Sequence, residues 1–183
     1  MTDKRLPFFV YGTLLPGEPN HDRFLRGRTR EERPAVLPGA LLYEGPGYPY
    51  AIEGHGTVHG ALITAAPGAY ADLLRLLDDL EQYLGPEHPR NLYERVARRV
   101  GPVPERDTPG DGTAVSGTAV SGPGSGPSGC AGPGSGASGS AGSVRAWVYL
   151  AATAVARSLR TGGTPVPGGD WLSRRPPPGP RTP

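Results

Sequence analysis

The chain has 183 residues, a length typical of one domain. Its formal net charge is only +2, and acidic and basic residues are interleaved, which argues against the clustered basic face of a nucleic-acid-binding protein. The single cysteine, Cys130, excludes an intramolecular disulfide, and no apolar run reaches the length of a secretory signal or a membrane span. We therefore expect a cytoplasmic protein with neither nucleic acid nor membrane as a partner.

The first predicted element is a buried strand over residues 6–12, LPFFVYG, which ends at a glycine. Tyr11, Gly12, Thr13 and Leu14 form the exit from this strand, and a Pro-Gly turn follows. A glycine at such an exit allows a ligand to approach the backbone closely, and backbone N–H groups there can bind an anion. An ordinary connection between a strand and a loop would show the same residues, so both interpretations stay open.

Two further strands are predicted at residues 37–45 and 58–65, each bounded by Gly or Pro. An amphipathic helix follows, between Pro67-Gly68 and Gly85-Pro86. Its apolar stripe consists of Tyr70, Leu73, Leu74, Leu77, Leu80 and Leu84. Glu81 falls within this stripe, four residues after Leu77.

A carboxylate on a buried helix face is costly unless it is paired or protonated. Loss of water raises the pKa of such a group toward neutrality, where it can act as a general acid and base. Glu81 is therefore a candidate catalytic residue. The structural alternative is that Glu81 reaches solvent or pairs with an arginine such as Arg95.

Two strands are predicted on either side of a low-complexity segment, at residues 92–100 and 144–151. The segment between them, residues 101–143, is rich in Gly, Ser and Pro and cannot bury enough apolar area to offset its ordering entropy. We expect a disordered insertion there and a disordered Pro-rich tail at residues 174–183. The ordered parts, about residues 6–100 and 144–173, then form a single domain spanning residues 1–183.

Strands thus outnumber helices, which predicts an α+β fold, a small mixed β-barrel with flanking helices.

The four histidines lack the partners of a metal site, so we expect no metal. Serine is abundant only in the predicted insertion, which argues against a serine nucleophile. A Gly-rich phosphate loop with its lysine is also absent from the sequence.

The motifs taken together resemble the γ-glutamylcyclotransferase family, which includes the γ-glutamylamine cyclotransferases and AIG2-like proteins. The PGEPNH motif is similar to the bacterial branch that contains the butirosin-biosynthesis cyclotransferase. The resemblance covers about residues 6–100 and 144–173. It is carried, in chain order, by YGTL, PGEPNH, GYPYAI, LDDLEQY, LYERV, AWVYL and GGDW.

This resemblance implies a compact β-barrel with flanking helices and a site that needs no metal or organic cofactor. It also implies a small-molecule γ-glutamyl substrate, which cyclises to 5-oxoproline and releases an amine or amino acid. Glu81 matches the family's catalytic glutamate, and Gln82 stands where the family usually has Gly. The residues implied to bind the substrate are Tyr11, Gly12, Thr13 and Leu14, together with Tyr149 near the site.

The implied reaction is an intramolecular aminolysis, in which the substrate's own α-amine attacks its γ-carbonyl and Glu81 transfers the protons. Two alternatives remain: a non-catalytic small-molecule-binding module of the same fold, and an amide cleavage that releases glutamate. The sequence leaves open which amine departs and what the oligomeric state is.

Overall fold

The computed structural model describes residues 5–103 and 142–174 of the chain. The predictions of a disordered insertion and tail therefore concern residues that lie almost entirely outside this description. The described elements, in chain order, are β1 (Phe8–Val10), a 3₁₀ turn (Gly12–Leu14), α1 (Pro19–Phe24), β2 (Thr29–Glu44), β3 (Pro49–Ala65), α2 (Tyr70–Leu80), β4 (Tyr93–Pro102), β5 (Val144–Ala151), α3 (Thr153–Gly162) and two 3₁₀ turns (Pro167–Gly169 and Leu172–Arg174).

The strands close into a barrel in the order β1-β3-β2-β4-β5, with β5 returning to β1. The β1–β5 pair is parallel, whereas the other pairs are antiparallel. This arrangement confirms the predicted α+β class and the mixed barrel with flanking helices. None of the described helices is long and apolar enough to cross a membrane.

Alternate side chains of the strands belong to two apolar clusters, as the period of two in a strand requires. Phe9 belongs to one cluster, with side chains of all five strands and Trp171. Phe8 and Val10 belong to the other, which also contains Leu73 and Leu77 of α2. Burying one leucine contributes about 1.5–3 kcal/mol, so these two side chains hold α2 firmly against the barrel.

The segments predicted as strands at 37–45 and 58–65 are only the second halves of β2 and β3. The first halves carry charged residues, Gly and Pro on half-exposed faces, which obscure the strand pattern in the sequence. The two long strands form one hairpin, whose register shifts between Pro38 and Ala40. Strand β4 also extends beyond its predicted end, because Gly101 and Pro102 pair with β2.

The predicted helix is correct in position but ends earlier than its apolar stripe suggested. Residue Glu81 is the C-cap of α2, and Leu84 is 57% exposed rather than part of a buried face. The amide of Tyr83 donates to the carbonyl of Asp78 (2.9 Å), and that of Gln82 donates to Asp79 (3.3 Å). This pair of bonds is a Schellman motif, which terminates the helix one residue after Leu80.

The Schellman motif requires a left-handed residue directly after the C-cap, and Gln82 occupies that position with φ 51°. Glycine is favoured there because it has no Cβ to strain the backbone. The resemblance implies a Gly at this position, and the left-handed conformation gives that Gly a physical reason. Gln82 keeps the same turn at some cost in strain.

Replacing Leu77 by Ala should lower the free energy of unfolding by about 2–5 kcal/mol, because its side chain is fully buried. Leu84→Ala is the matched control, since it deletes the same atoms from an exposed site and should cost less than about 0.5 kcal/mol. Urea denaturation followed by circular dichroism measures both. Equal losses would contradict the position of the helix end.

Gln82→Gly should raise the free energy of unfolding by up to about 1 kcal/mol, because it relieves strain at the left-handed position. Thermal denaturation of the two proteins checks this. A destabilised Gln82→Gly variant would show that the Gln82 side chain contributes more than its backbone strain costs.

Candidate active site

A cavity of about 330 Å³ opens beside the end of α2, between the barrel and the loop after β1. Its lining combines tyrosine and apolar side chains with polar ones, and Glu81 is the one carboxyl group among the described residues that line it. The lining residues are Tyr11, Thr13, Pro19, Asn20, Gly47, Tyr48, Pro49, Leu80, Glu81, Gln82, Leu92 and Tyr93.

Residue Glu81 is half-buried as a whole, and its carboxyl has no hydrogen-bond or ion-pair partner among the described residues. Burial without compensating contacts raises its pKa from 4.5 to about 7. The backbone fixes the position of the residue, because its amide donates to the Leu77 carbonyl (2.9 Å). The side chain is therefore near a protonation midpoint at neutral pH.

The alternative that Glu81 pairs with Arg95 is not what the structure shows. The Arg95 guanidinium donates to the Asp78 carboxylate at 2.6 Å and lies 5.0 Å from the ring centroids of Tyr83 and Trp147. Asp78 also accepts a hydrogen bond from the Tyr149 hydroxyl (2.7 Å). Burial nevertheless raises the pKa of Asp78, although the bonds from Tyr149 and Arg95 oppose that rise.

The predicted loop residues differ in where the structure places them. Tyr11 and Thr13 line the cavity, whereas Gly12 and Leu14 are buried behind it. The Tyr11 hydroxyl donates to the Tyr149 carbonyl (2.5 Å), so its proton is not available for a hydrogen bond to a ligand. Gly12 has φ +76°, and a Cβ there would lie 2.4 Å from the Pro49 ring, so its position admits only glycine.

The predicted binding residue Tyr149 does not line the cavity. It is 3% exposed, and it supports the site from behind by accepting the Tyr11 hydrogen bond and donating to Asp78. The cavity thus brings together Glu81, Tyr11 and Thr13, while Gly12, Leu14 and Tyr149 belong to its supporting layer.

Sequence reasoning missed the aromatic wall that faces this loop. Tyr48 and Tyr93 line the cavity, and the buried ring of Tyr50 lies between them, stacked on Tyr93 at 5.1 Å. The Tyr93 hydroxyl donates to the Pro49 carbonyl (2.8 Å). These residues were present in the GYPYAI and LYERV motifs, but a tyrosine in a turn or a strand gives no sequence signal of a site.

The closed five-stranded barrel with its flanking helices makes this a small α+β barrel protein, with Glu81 in a cavity at the end of α2. Sequence comparison identifies its family. Residues 8–119 match the family described as "Gamma-glutamyl cyclotransferase, AIG2-like". This match covers more than half of the chain, and the chain belongs to that family.

One relative is the Gamma-L-glutamyl-butirosin B gamma-glutamyl cyclotransferase of Niallia circulans. It is 36% identical over 92 residues, which are 50% of this chain and 56% of the relative. The chain thus spans just over half the length of that relative.

Among solved structures, an AIG2-like protein of Mus musculus is similar at 24% identity, with coverage of 81% of this chain and 78% of that chain and a TM-score of 0.48. An uncharacterized protein of Pyrococcus horikoshii is similar at 16% identity, with coverage of 92% and 91% and a TM-score of 0.49.

The raised pKa of Glu81 predicts a pH-dependent stability difference between the wild type and Glu81→Gln. The folded carboxyl has a pKa of about 7 against 4.5 without burial, so the folded protein holds its proton more tightly. The stability of the wild type relative to Glu81→Gln should therefore fall as pH rises from 4.5 to 7, by on the order of 1–3 kcal/mol.

Glutamine is neutral at every pH, so burying it carries no penalty for a buried charge. Glu81→Gln should therefore be more stable than the wild type above pH 8, and the difference should shrink below pH 4.5. Thermal denaturation across this range measures it. A difference that does not change with pH would show that Glu81 titrates normally.

Proposed function

We propose that the protein is a γ-glutamylcyclotransferase, which converts a γ-glutamyl amide to 5-oxoproline and releases the amine. The observation that carries this proposal is the unpaired Glu81 carboxyl, with a pKa of about 7, in a cavity bordered by the Tyr11–Leu14 loop. Membership of the family supports the same reaction class. The printed name of the Niallia circulans relative describes the same chemistry on its own substrate.

In this reaction the substrate supplies its own nucleophile. The α-amine attacks the γ-carbonyl carbon, a new C–N bond closes the five-membered ring, and the bond from that carbon to the departing nitrogen breaks. The α-nitrogen starts as an ammonium and ends as the lactam N–H, so it loses two protons, one before it attacks and one after. The departing nitrogen gains one proton to leave as an amine and a second to become an ammonium, so the number of protons balances overall.

Glu81 is suited to both transfers, because a carboxyl with a pKa near the working pH can accept a proton and then return it. As a carboxylate it takes one proton from the α-nitrogen, and as an acid it delivers one to the departing nitrogen. The other proton of the α-ammonium goes to solvent, from which the released amine takes its second proton. The described residues that line the cavity include no Ser or Cys, and this mechanism requires neither.

The loop after β1 is proposed to bind the substrate's α-carboxylate. The amides of Gly12, Thr13 and Leu14 open a 3₁₀ turn and so have no acceptor within the turn itself. The close contact of Gly12 with Pro49 fixes the direction of these amides. An anchored α-carboxylate would hold the α-amine in position to attack the γ-carbonyl.

Glu81→Gln should lower kcat for 5-oxoproline release by about 10²–10⁴-fold, since it removes the only proposed proton carrier. Asp79→Asn is the matched control: it neutralises an exposed carboxyl two residues away, outside the cavity lining, and should leave kcat unchanged. Chromatographic detection of 5-oxoproline, with a panel of γ-glutamyl amino acids and amines, measures both and identifies the best leaving amine.

The wild-type kcat/KM should fall as pH drops below about 7, because protonated Glu81 cannot accept the ammonium proton. Full activity in folded Glu81→Gln would remove Glu81 from the mechanism. Release of glutamate in place of 5-oxoproline would replace the cyclisation with hydrolysis, and binding without turnover would indicate a non-catalytic module.

A further inference from the structure

Three tyrosine hydroxyls belong to residues that line the Glu81 cavity, and two of them have already committed their protons. Tyr11 donates to the Tyr149 carbonyl at 2.5 Å. Tyr93 donates to the Pro49 carbonyl at 2.8 Å. Because a phenol has one proton to donate, neither residue can give a further hydrogen bond to a ligand without breaking a contact of the fold.

The third hydroxyl, that of Tyr48, has its proton free. It accepts a hydrogen bond from the Tyr50 hydroxyl (3.3 Å) and has no acceptor of its own among the described residues. A hydroxyl that accepts one hydrogen bond becomes a better donor in the next, because the bonds polarise one another. Tyr48 is therefore the phenol in the cavity lining that is able to donate to a ligand.

The position of Tyr48 is fixed by its neighbours. It lies in the turn between β2 and β3, where a Cβ added to Gly45 would lie 2.5 Å from the Tyr48 carbonyl oxygen. The next residue, Pro49, packs against Gly12 of the loop and accepts the Tyr93 hydrogen bond. The Tyr48 ring also packs edge-on against Tyr50, with 5.4 Å between centroids. Tyr48 is thus held in the wall of the cavity that Tyr11 and Thr13 of the loop also line.

We propose that the Tyr48 hydroxyl donates a hydrogen bond to the substrate's γ-carbonyl oxygen and stabilises the negative charge that develops there. The inference rests on the cyclotransferase function proposed above. In that function the loop amides bind the α-carboxylate, and Glu81 transfers protons at the attacking and departing nitrogens. The γ-carbonyl oxygen, on which negative charge develops, then has no side-chain hydrogen-bond donor assigned to it. The phenol keeps its proton throughout, so Glu81 remains the only group that transfers one.

A donor aimed at developing charge acts mainly in the transition state. Its removal lowers kcat, whereas a contact made equally with the bound substrate would raise KM instead. Loss of one such donor typically lowers kcat by about 10²–10³-fold. Tyr48→Phe is the appropriate variant, because it retains the ring and its packing and removes only the hydroxyl.

The test compares Tyr48→Phe with Tyr43→Phe, which removes a phenol hydroxyl from a half-buried β2 residue outside the cavity lining. We expect Tyr48→Phe to lower kcat about 100-fold with KM within about threefold of the wild type, and Tyr43→Phe to change neither. Tyr50→Phe should show a smaller loss, since it removes only the bond that polarises Tyr48. Equal melting temperatures of Tyr48→Phe and the wild type exclude a folding defect.

A kcat for Tyr48→Phe within about threefold of the wild type would overturn the proposal, as would a rise in KM at unchanged kcat. If the wild type releases no 5-oxoproline from any substrate, the cyclotransferase proposal fails on that result alone. Calorimetric binding of L-glutamate, whose γ-carboxylate places a negatively charged oxygen at the position of the γ-carbonyl oxygen, then judges Tyr48 separately. A tenfold weaker affinity of Tyr48→Phe supports its donor role, and equal or absent binding overturns it.

Discussion

The ion pair between Arg95 and Asp78 is the interaction on which the rest of the site depends. It commits the positive charge of Arg95 to a carboxylate one helical turn before Glu81, and the rings of Tyr83 and Trp147 enclose the guanidinium. Glu81 consequently has no cationic partner in the described part of the chain. A carboxyl that is desolvated but unpaired keeps its proton near neutral pH, which is the property that the proposed chemistry needs.

The same ion pair links three elements of the fold. Asp78 lies on α2, Arg95 on β4, and Tyr149, which also donates to Asp78, lies on β5. The buried leucines of α2 supply most of the apolar attachment, but apolar packing alone does not fix a helix end to within a fraction of an ångström. Directional hydrogen bonds to Asp78 add that constraint three residues before the cavity carboxyl.

Much of this arrangement could be predicted from the sequence, because some of its signals are local. The leucine spacing located α2 and placed Glu81 within its apolar stripe, and the alternation in VRAWVYLA located β5. The helix end was wrong by four residues, since hydrophobic spacing continues to Leu84 while the backbone turns left-handed at Gln82. A Schellman motif usually has glycine at its left-handed position, and here that position is Gln82, so the sequence lacks the usual signal of a helix end.

The aromatic wall could not be predicted for a different reason. Tyr48 and Tyr93 are 45 positions apart in the sequence, and only the pairing of β2 with β3 and β4 brings them to one cavity. Similarly, the identity of the residue that pairs with Arg95 depends on how α2 lies across the sheet. Local patterns carry no information about such contacts, whereas motifs shared with a family carry it indirectly.

The parallel pairing of β1 with β5 has a consequence for how the molecule is made. The hydrogen bond from Tyr11 to the Tyr149 carbonyl joins residues 138 positions apart, and it crosses the seam at which the barrel closes. During synthesis, the Tyr11 side of the cavity cannot form this bond until β5 has left the ribosome. Contacts of such long sequence separation slow folding, so the nascent hairpin of β2 and β3 would spend that interval with an unpaired edge. The start of β2, residues 29–33, is rich in Glu and Arg. Charged residues at a strand edge disfavour pairing with another chain during this delay.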